Sequence, residues 1–185
     1  MKNISCWFIA LLGFSYVQVS GQSYKDNNYK NYFYLQFNYH LEKRGTEFGY
    51  TSNPDFAVSY ERRILNFGRN NLIAGLRTGA YKEYVLTGAG WDHPTRTRFF
   101  IGATPSYRVD ISKRVKFQFN LLWDILFPDD YDETWSYIAF EPSFKFYFTD
   151  HFYAAVSGTL GAYFFFDPIA VMAKTGIKAG YAFGK

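Results

Sequence analysis

Apolar and polar residues alternate along most of this chain, from Tyr32 to Phe183. The alternation is clearest between Ile138 and Phe148, where apolar residues stand at every even position. The residues between them are Ala139, Glu141, Ser143, Lys145 and Tyr147. A period of two places successive side chains on opposite faces of a β-strand. Because the polar face carries full charges and the other face is broad and aromatic, the pattern predicts a barrel with a lipid-facing exterior and a polar interior.

The alternation divides into eight runs of strand length. The predicted strands are residues 32–41, 55–64, 72–84, 98–109, 115–125, 134–148, 152–163 and 169–183. Position within each run also predicts which charged side chains point inward. These are Glu61, Arg77, Arg108, Lys116, Asp124, Glu141, Lys145, Lys174 and Lys178.

The connections between these runs alternate in length. Those after the second, fourth and sixth runs are short and rich in turn residues, at 66–70, 110–114 and 149–151. The others span 42–54, 85–97, 126–133 and the shorter 164–168. Outer-membrane barrels have short periplasmic turns, longer external loops and an even number of strands. The lengths therefore predict both the architecture and its orientation.

Two prolines lie inside predicted strands. Pro105 and Pro142 have no backbone N–H to donate, and a closed barrel has no free edge where such a residue is harmless. Each is expected to mark a bulge or a local break in strand pairing.

The first residues have the features of a signal peptide. Lys2 precedes a mostly apolar run over residues 4–19, followed by Val19-Ser20-Gly21. We predict a signal peptide over 1–21 cleaved before Gln22, a periplasmic leader over 22–31 and an outer-membrane barrel over 32–185. The alternative of an uncleaved anchor needs about 20 apolar residues, which this run lacks. Since the lone Cys6 lies within the signal peptide, the mature chain contains no disulfide and no thiolate metal site.

Composition fits the same prediction. Aromatic residues make up 23% of the chain, whereas no stretch after the signal peptide resembles a spanning helix. Because apolar and polar residues alternate, the mean hydropathy of each predicted strand is low even though one of its faces is apolar. The formal net charge of +4 is too small and too dispersed to indicate nucleic-acid binding.

The last strand resembles a known class at its C-terminal end. Residues 177–183 read Ile-Lys-Ala-Gly-Tyr-Ala-Phe, similar to the alternating, aromatic-ended final strand of small eight-stranded Gram-negative outer-membrane barrels. The chain departs from that pattern by Gly176, Gly180 and the added Gly184-Lys185. The resemblance covers the mature length. It implies an all-β, eight-stranded antiparallel up-and-down transmembrane barrel in the outer membrane, delivered by the barrel-assembly machinery and surrounded by lipid and lipopolysaccharide.

The inward charges are interpreted as a structural polar network. Its predicted members are Glu61, Arg77, Asp124, Glu141, Lys145, Lys174 and Lys178. An eight-stranded barrel is just wide enough for side chains to fill, and an unpaired buried charge is costly. We therefore expect Glu61–Arg77 and Glu141–Lys178 pairs in a plugged lumen. The alternative is a narrow ion or proton path.

Aromatic residues near strand ends predict belts at headgroup depth. The main interface aromatics are Trp91, Trp123, Trp135, Tyr181 and Phe183, and the set also includes Tyr32, Tyr84, Tyr137 and Tyr153. Stacking of sugars on Trp91 and Trp135 is the alternative.

Candidate chemistry is sparse. Asp129, Asp130, Asp132 and Glu133 concentrate acid in the third long loop, without the fixed spacing of a calcium loop. His40, His93 and His151 have no serine two residues away on one strand face, so no catalytic residue is assigned. No metal site and no cofactor are predicted.

The function predicted from these features is a non-enzymatic outer-membrane barrel, monomeric, with a structural or surface-interaction role through its external loops. The extracellular partner is left open. Two alternatives remain: a lipid A acyl hydrolase or acyltransferase, and a secreted soluble barrel that binds an apolar ligand.

Overall fold

The computed structural model describes residues 29–44, 47–49, 54–84, 95–127, 135–164 and 171–184. They form ten strand segments, in chain order β1 (Asn31–Arg44), β2 (Glu47–Gly49), β3 (Pro54–Phe67), β4 (Asn70–Tyr84), β5 (Thr95–Ala103), β6 (Ser106–Asp110), β7 (Val115–Leu126), β8 (Trp135–Tyr147), β9 (Phe152–Phe164) and β10 (Val171–Phe183). None of the described residues belongs to a helix long and apolar enough to cross a membrane.

The segments make a closed barrel of eight strands. β5 and β6 are two parts of one barrel strand, because both pair with β4 and with β7. β2 is a short antiparallel addition to the end of β1. Every other strand pairs antiparallel with its neighbour in sequence, and β10 pairs with β1 to close the wall. The predicted fold class is confirmed.

The strands are staggered around the wall. Following paired residues from Phe33 leads back to β1 at Lys43, ten residues further along the same strand. The path runs through Tyr60, Leu76, Ala103, Trp123, Ile138, Ala162 and Val171. Closure of a barrel with tilted strands requires such a stagger. It determines which inward side chains lie at the same height.

The alternation predicted from the sequence separates the two faces of the wall. In β1, Tyr34, Gln36 and Asn38 are buried, whereas Leu35 and Phe37 are exposed. The same parity holds in β8, where Glu141 and Lys145 point inward and the phenylalanines point outward. The core of this protein is therefore the polar lumen, and its large apolar side chains form the outer surface. This orientation is the reverse of what a soluble ligand-binding barrel requires.

The two prolines interrupt pairing without shifting the register. Thr104 and Pro105 separate β5 from β6, yet the pairing partners on β4 and β7 continue in step across the gap. At Pro142, β8 keeps its pairing with β7 and loses it only toward β9, between Phe140 and Ser143. The predicted local breaks are confirmed, and neither is a bulge. The register shift of the wall lies in β3, between Arg63 and Leu65.

The three predicted short turns lie together at one end of the barrel. They occupy residues 68–69, 111–114 and 148–151. Gly68 has a φ of 71°, a left-handed conformation that favours glycine, and its N–H donates to Asn66 Oδ1 at 2.9 Å. Most residues of the predicted long connections lie outside the described ranges. The ends are named below by these features, the turn end and the loop end.

Candidate functional site

Charged side chains from β3 to β8 and from β10 line the lumen. All seven residues predicted for the polar network are buried there. Among the described residues, the buried charged side chains are those of Asp55, Glu61, Arg77, Arg98, Arg108, Asp110, Lys116, Asp124, Glu141, Lys145, Lys174 and Lys178. Each occupies an inward-facing position of its strand, so the alternation along the strand explains why its side chain is in the lumen.

Glu61 is the centre of one cluster. Both Glu61 and Lys145 are 0% exposed, and Lys145 Nζ donates to Glu61 Oε2 at 3.0 Å. The other carboxylate oxygen, Oε1, accepts from the Tyr34 hydroxyl at 3.0 Å and from Gln118 Nε2 at 2.9 Å. A buried carboxylate is tolerated when a cation and several donors compensate for lost water. Glu61 meets that condition on both oxygens.

Glu141 is the centre of a second cluster. Its Oε1 accepts from Lys178 Nζ and from Asn120 Nδ2, the latter at 2.7 Å. Its Oε2 accepts from Gln36 Nε2 at 2.5 Å and from the Thr159 hydroxyl at 3.3 Å. The predicted Glu141–Lys178 pair is therefore present in the structure.

Gln36 connects this cluster to a carboxylate nearer the loop end. Its Nε2 also donates to Asn38 Oδ1 at 2.9 Å, and Asn38 Nδ2 donates to Asp55. Asp55 Oδ2 in turn accepts from Lys174 Nζ at 2.5 Å. Asp55 was assigned no role from the sequence because it stands at the first predicted residue of its strand.

Arg77 pairs with Asp124, not with Glu61 as the sequence predicted. Arg77 Nε lies 3.4 Å from Asp124 Oδ1. The two residues lie on either side of Gly102 in the same line of paired residues, where a Cβ would stand 2.0 Å from that carboxylate oxygen. The missing side chain of Gly102 leaves the space in which the ions meet. The predicted Glu61–Arg77 pair is wrong. Strand parity predicts which side chains face the lumen, but it does not predict which of those side chains meet.

A further cluster lies near the turn end. Asp110 Oδ2 is 3.0 Å from Lys116 Nζ, and Asp110 Oδ1 is 3.1 Å from Arg108 Nε. Asn71 Nδ2 donates to the same carboxylate at 3.4 Å. The sequence predicts a turn at Asp110, whereas the structure places Asp110 at the end of β6. Its spacing of two residues from Arg108 was the signal that both face the lumen.

Tyrosine rings surround the buried ammonium group of Lys145. Its Nζ lies 5.5, 5.4 and 5.0 Å from the ring centroids of Tyr32, Tyr34 and Tyr153. A cation at this distance is attracted to the face of an aromatic ring. Tyr137 is likewise buried, with its ring centroid 5.1 Å from Lys174 Nζ. Tyr32, Tyr137 and Tyr153 are lumen residues, and their assignment to the interface belts is wrong. Proximity to a strand end does not decide the face that a side chain takes.

The main interface aromatics lie on the outer wall where their side chains are described. Trp123 is 54% exposed near the loop end, whereas Tyr181 and Phe183 point outward at the turn end. Trp135 begins β8, but its side chain lies outside the described set, as does Trp91 entirely. Tyr84 ends β4 and its side chain likewise falls outside.

Tyr29 and His151 link the segment before β1 to the end of β10 at the turn end of the barrel. His151 Nδ1 lies 2.8 Å from the Ala182 carbonyl oxygen, which only accepts, so Nδ1 carries the hydrogen. Nε2 of the neutral ring then accepts from the Tyr29 hydroxyl at 3.1 Å. His151 thus has a structural position. The side chain of His40, all of His93 and the acidic residues 129–133 lie outside the described part of the chain.

Over the described residues, no group of three or more His, Cys, Asp or Glu side chains is arranged to hold a metal ion. The outer wall carries a shallow apolar groove across β8, β9, β10 and β1, lined by Phe37, Phe146, Val156 and Ile177. Its lining is mostly apolar and fits lipid chains.

Known proteins match this chain by shape. No protein-family model and no curated protein matches its sequence. Ail, the attachment invasion locus protein of Yersinia pestis, is 12% identical with a TM-score of 0.53, over 84% of this chain and 99% of Ail. A second Ail structure, in complex with the heparin analogue sucrose octasulfate, is 11% identical with a TM-score of 0.53 over the same shares, 84% and 99%. The outer membrane protein OprG from Pseudomonas aeruginosa is 10% identical, over 87% of this chain and 100% of OprG, with a TM-score of 0.47.

At these identities the likeness to Ail concerns the fold. It confirms the predicted class, a small eight-stranded outer-membrane β-barrel. The predicted outer-membrane location follows from that fold together with the apolar outer wall.

Proposed function

We propose that this protein is a non-enzymatic outer-membrane barrel whose lumen is closed by its polar network and whose external loops make its specific contacts. The observation that carries the proposal is the double cluster around Glu61 and Glu141. Four carboxylate oxygens there accept from lysine, amide and hydroxyl donors contributed from opposite sides of the lumen. Such a network holds the wall together and has no exchangeable ligand.

Several observations support a closed lumen. The ions in the two clusters pair directly, and tyrosine rings fill the space around Lys145. A barrel of eight strands has an interior that side chains alone can fill. A pore lined by free charges would leave these groups in contact with water.

The external connections have a distinct charge. Between the observed strands of the wall, the external connections are residues 45–53, 85–94, 127–134 and 165–170, and they contain seven acidic residues and no lysine or arginine. The acidic residues are Glu47, Asp92, Asp129, Asp130, Asp132, Glu133 and Asp167. Because like charges repel, we do not extend the polyanionic ligand of the Ail complex to this chain. The surface contacts that we propose are with neutral or cationic groups.

Planar-bilayer recording tests the closed lumen. The purified full chain is expected to give no steady conductance. A Glu141→Ala/Lys178→Ala variant removes two side chains from the middle of the network and is expected to give brief, small current steps. A steady conductance of the unmodified protein would contradict the proposal.

Two further measurements test the location and the absence of catalysis. Fractionation with outer membranes and heat-modifiable migration on a gel are expected for the folded barrel. Mass spectrometry of lipid A from cells with and without the protein is expected to give identical acyl patterns. A changed pattern would favour the lipid-modifying alternative, and its persistence in a His40→Ala/His93→Ala variant would exclude those two residues as its catalytic groups.

A further inference from the structure

Basic residues are concentrated at the turn end of the barrel. We call this set the basic rim; it consists of Lys30, Arg62, Arg63, Arg69, Lys113 and Arg114, all exposed or half-buried. Asp150 is the one acidic residue at the surface of this end within the described ranges, and its carboxylate lies 3.8 Å from Lys113 Nζ. The end therefore has a clear excess of positive charge.

Backbone hydrogen bonds place these residues around much of the circumference. The Lys30 carbonyl accepts from Arg63 N at 2.7 Å, which joins the start of β1 to β3. The Arg69 carbonyl accepts from Asp110 N at 2.8 Å, and the Arg114 carbonyl accepts from Tyr147 N at 2.8 Å. The basic rim thus extends from β1 through β3, β4 and β6 to the edge of β8. It is an arc of the wall and not a local cluster.

Large apolar side chains are exposed beside the arc. Phe67 precedes the turn that contains Arg69, and Ile111 precedes Lys113 in the next turn. Phe148 and Phe152 flank the third turn, and Phe148 is 66% exposed. Long basic side chains at the edge of an apolar belt extend their charges to the membrane interface. The cations therefore lie at the depth of lipid headgroups.

The opposite end has the opposite sign. The loop-end connections contain acidic residues and no lysine or arginine. The strand ends beside them add both signs, namely Glu42, Lys43, Arg44, Lys82, Glu83 and Arg96. Positive charge therefore collects at one membrane interface. General solubility does not require this asymmetry.

We propose that the basic rim binds the headgroups of anionic phospholipids in the leaflet that faces the turns. This inference rests on the proposed function, since it needs the barrel to span a membrane. Each basic residue near an anionic lipid surface adds to the attraction. An acidic protein or cell-wall polymer fits less well, because the exposed aromatic and aliphatic side chains between the cations match a lipid interface.

Native mass spectrometry of the full chain in detergent tests the proposal. Phosphatidylglycerol and phosphatidylcholine are offered together, and the ratio of the two bound lipids is measured. The test variant is Lys30→Gln/Arg62→Gln/Arg114→Gln. The control variant, Lys43→Gln/Lys82→Gln/Arg96→Gln, removes the same charge at the loop end. Heat-modifiable migration verifies that each variant is folded.

The unmodified protein and the control variant are expected to retain phosphatidylglycerol preferentially. The test variant is expected to lose about tenfold or more of that preference, from the loss of three attractive charges. Added salt is expected to weaken the preference in the unmodified protein, because the cations are exposed.

Three outcomes would overturn the inference: no preference in the folded, unmodified protein, an equal loss in both variants, or selective retention of cell-wall fragments without lipid preference. Failure of the proposed function has a different signature. A chain that is not a membrane barrel would lack heat-modifiable migration altogether.

Discussion

At the scale of single residues, the lumen depends on ions that have no access to water. Lys145 and Glu61 are fully buried, so each relies on the other and on neighbouring donors and rings. Removing one partner of a buried ion pair leaves an uncompensated charge, which is more damaging than the loss of the whole pair. The interior should therefore respond unequally to single and double substitutions.

We predict that Glu61→Gln lowers the free energy of unfolding by about 3–5 kcal/mol, because the Lys145 charge stays buried without its carboxylate. Glu61→Gln/Lys145→Met is expected to be more stable than the single variant. Urea unfolding in lipid vesicles, followed by tryptophan fluorescence, measures both. A double variant less stable than Glu61→Gln would contradict the argument.

The matched control is Lys113→Gln. Lys113 and Asp150 are 58% and 59% exposed, so their pair is screened by water. The expected change in the free energy of unfolding is within about 0.5 kcal/mol.

Gly180 contributes to stability because the Tyr153 ring occupies the space that a side chain at position 180 would need. A Cβ there would stand 2.3 Å from Tyr153 Cζ, and that ring is held by Tyr147 and Lys145. We predict that Gly180→Ala destabilises the barrel by about 1–3 kcal/mol through overpacking. Gly158→Ala is the control, because its Cβ would meet nothing within 4 Å. Equal urea midpoints for the two variants would exclude overpacking.

At the scale of strands, pairing depends on which side of the strand each backbone N–H faces. β8 stays paired with β7 through Pro142 and loses pairing only toward β9. The missing N–H of Pro142 therefore faces β9. The unbroken register indicates that the break is a lost hydrogen bond and not a displaced strand.

We predict that Pro142→Val restores pairing between β8 and β9 and stabilises the barrel by about 0.5–1.5 kcal/mol. Hydrogen exchange is the direct measurement, with a protected amide expected at position 142 and slower exchange around Gly158. Unchanged exchange in that part of β9 would show that the break has another cause.

At the scale of the whole molecule, the barrel closes through its first and last strands. β10 pairs with β1 along its length, and Tyr29 contacts His151 next to that junction. The predicted signal peptide over 1–21 and the start of the leader at Gln22 lie outside the described residues.

We predict that the mature protein from outer membranes begins at Gln22. Mass spectrometry of the intact protein measures the cleavage site. A Gly21→Leu variant is expected to slow processing, because a signal peptidase requires a small residue there. A mature chain that still contains Cys6 would contradict the proposal.

The sequence by itself determined the eight strands of the wall and the face that most of their side chains take. Alternation is local, so Glu141 and Lys178 were placed in the lumen and Phe144 and Ile177 on the outer wall without knowledge of the fold. Turn residues likewise located the three short connections. These properties depend on neighbours within a few residues.

Only the tertiary structure decided which inward groups meet. Arg77 reaches Asp124 because Gly102 lies between them in one line of paired residues, and Glu61 meets Lys145 from across the lumen. Those contacts depend on the stagger that returns Phe33 to Lys43 around the closed wall. The alternation within a strand does not show how far that strand is shifted along the barrel axis relative to its neighbours. That shift decides which buried charged side chains lie at the same height and can pair.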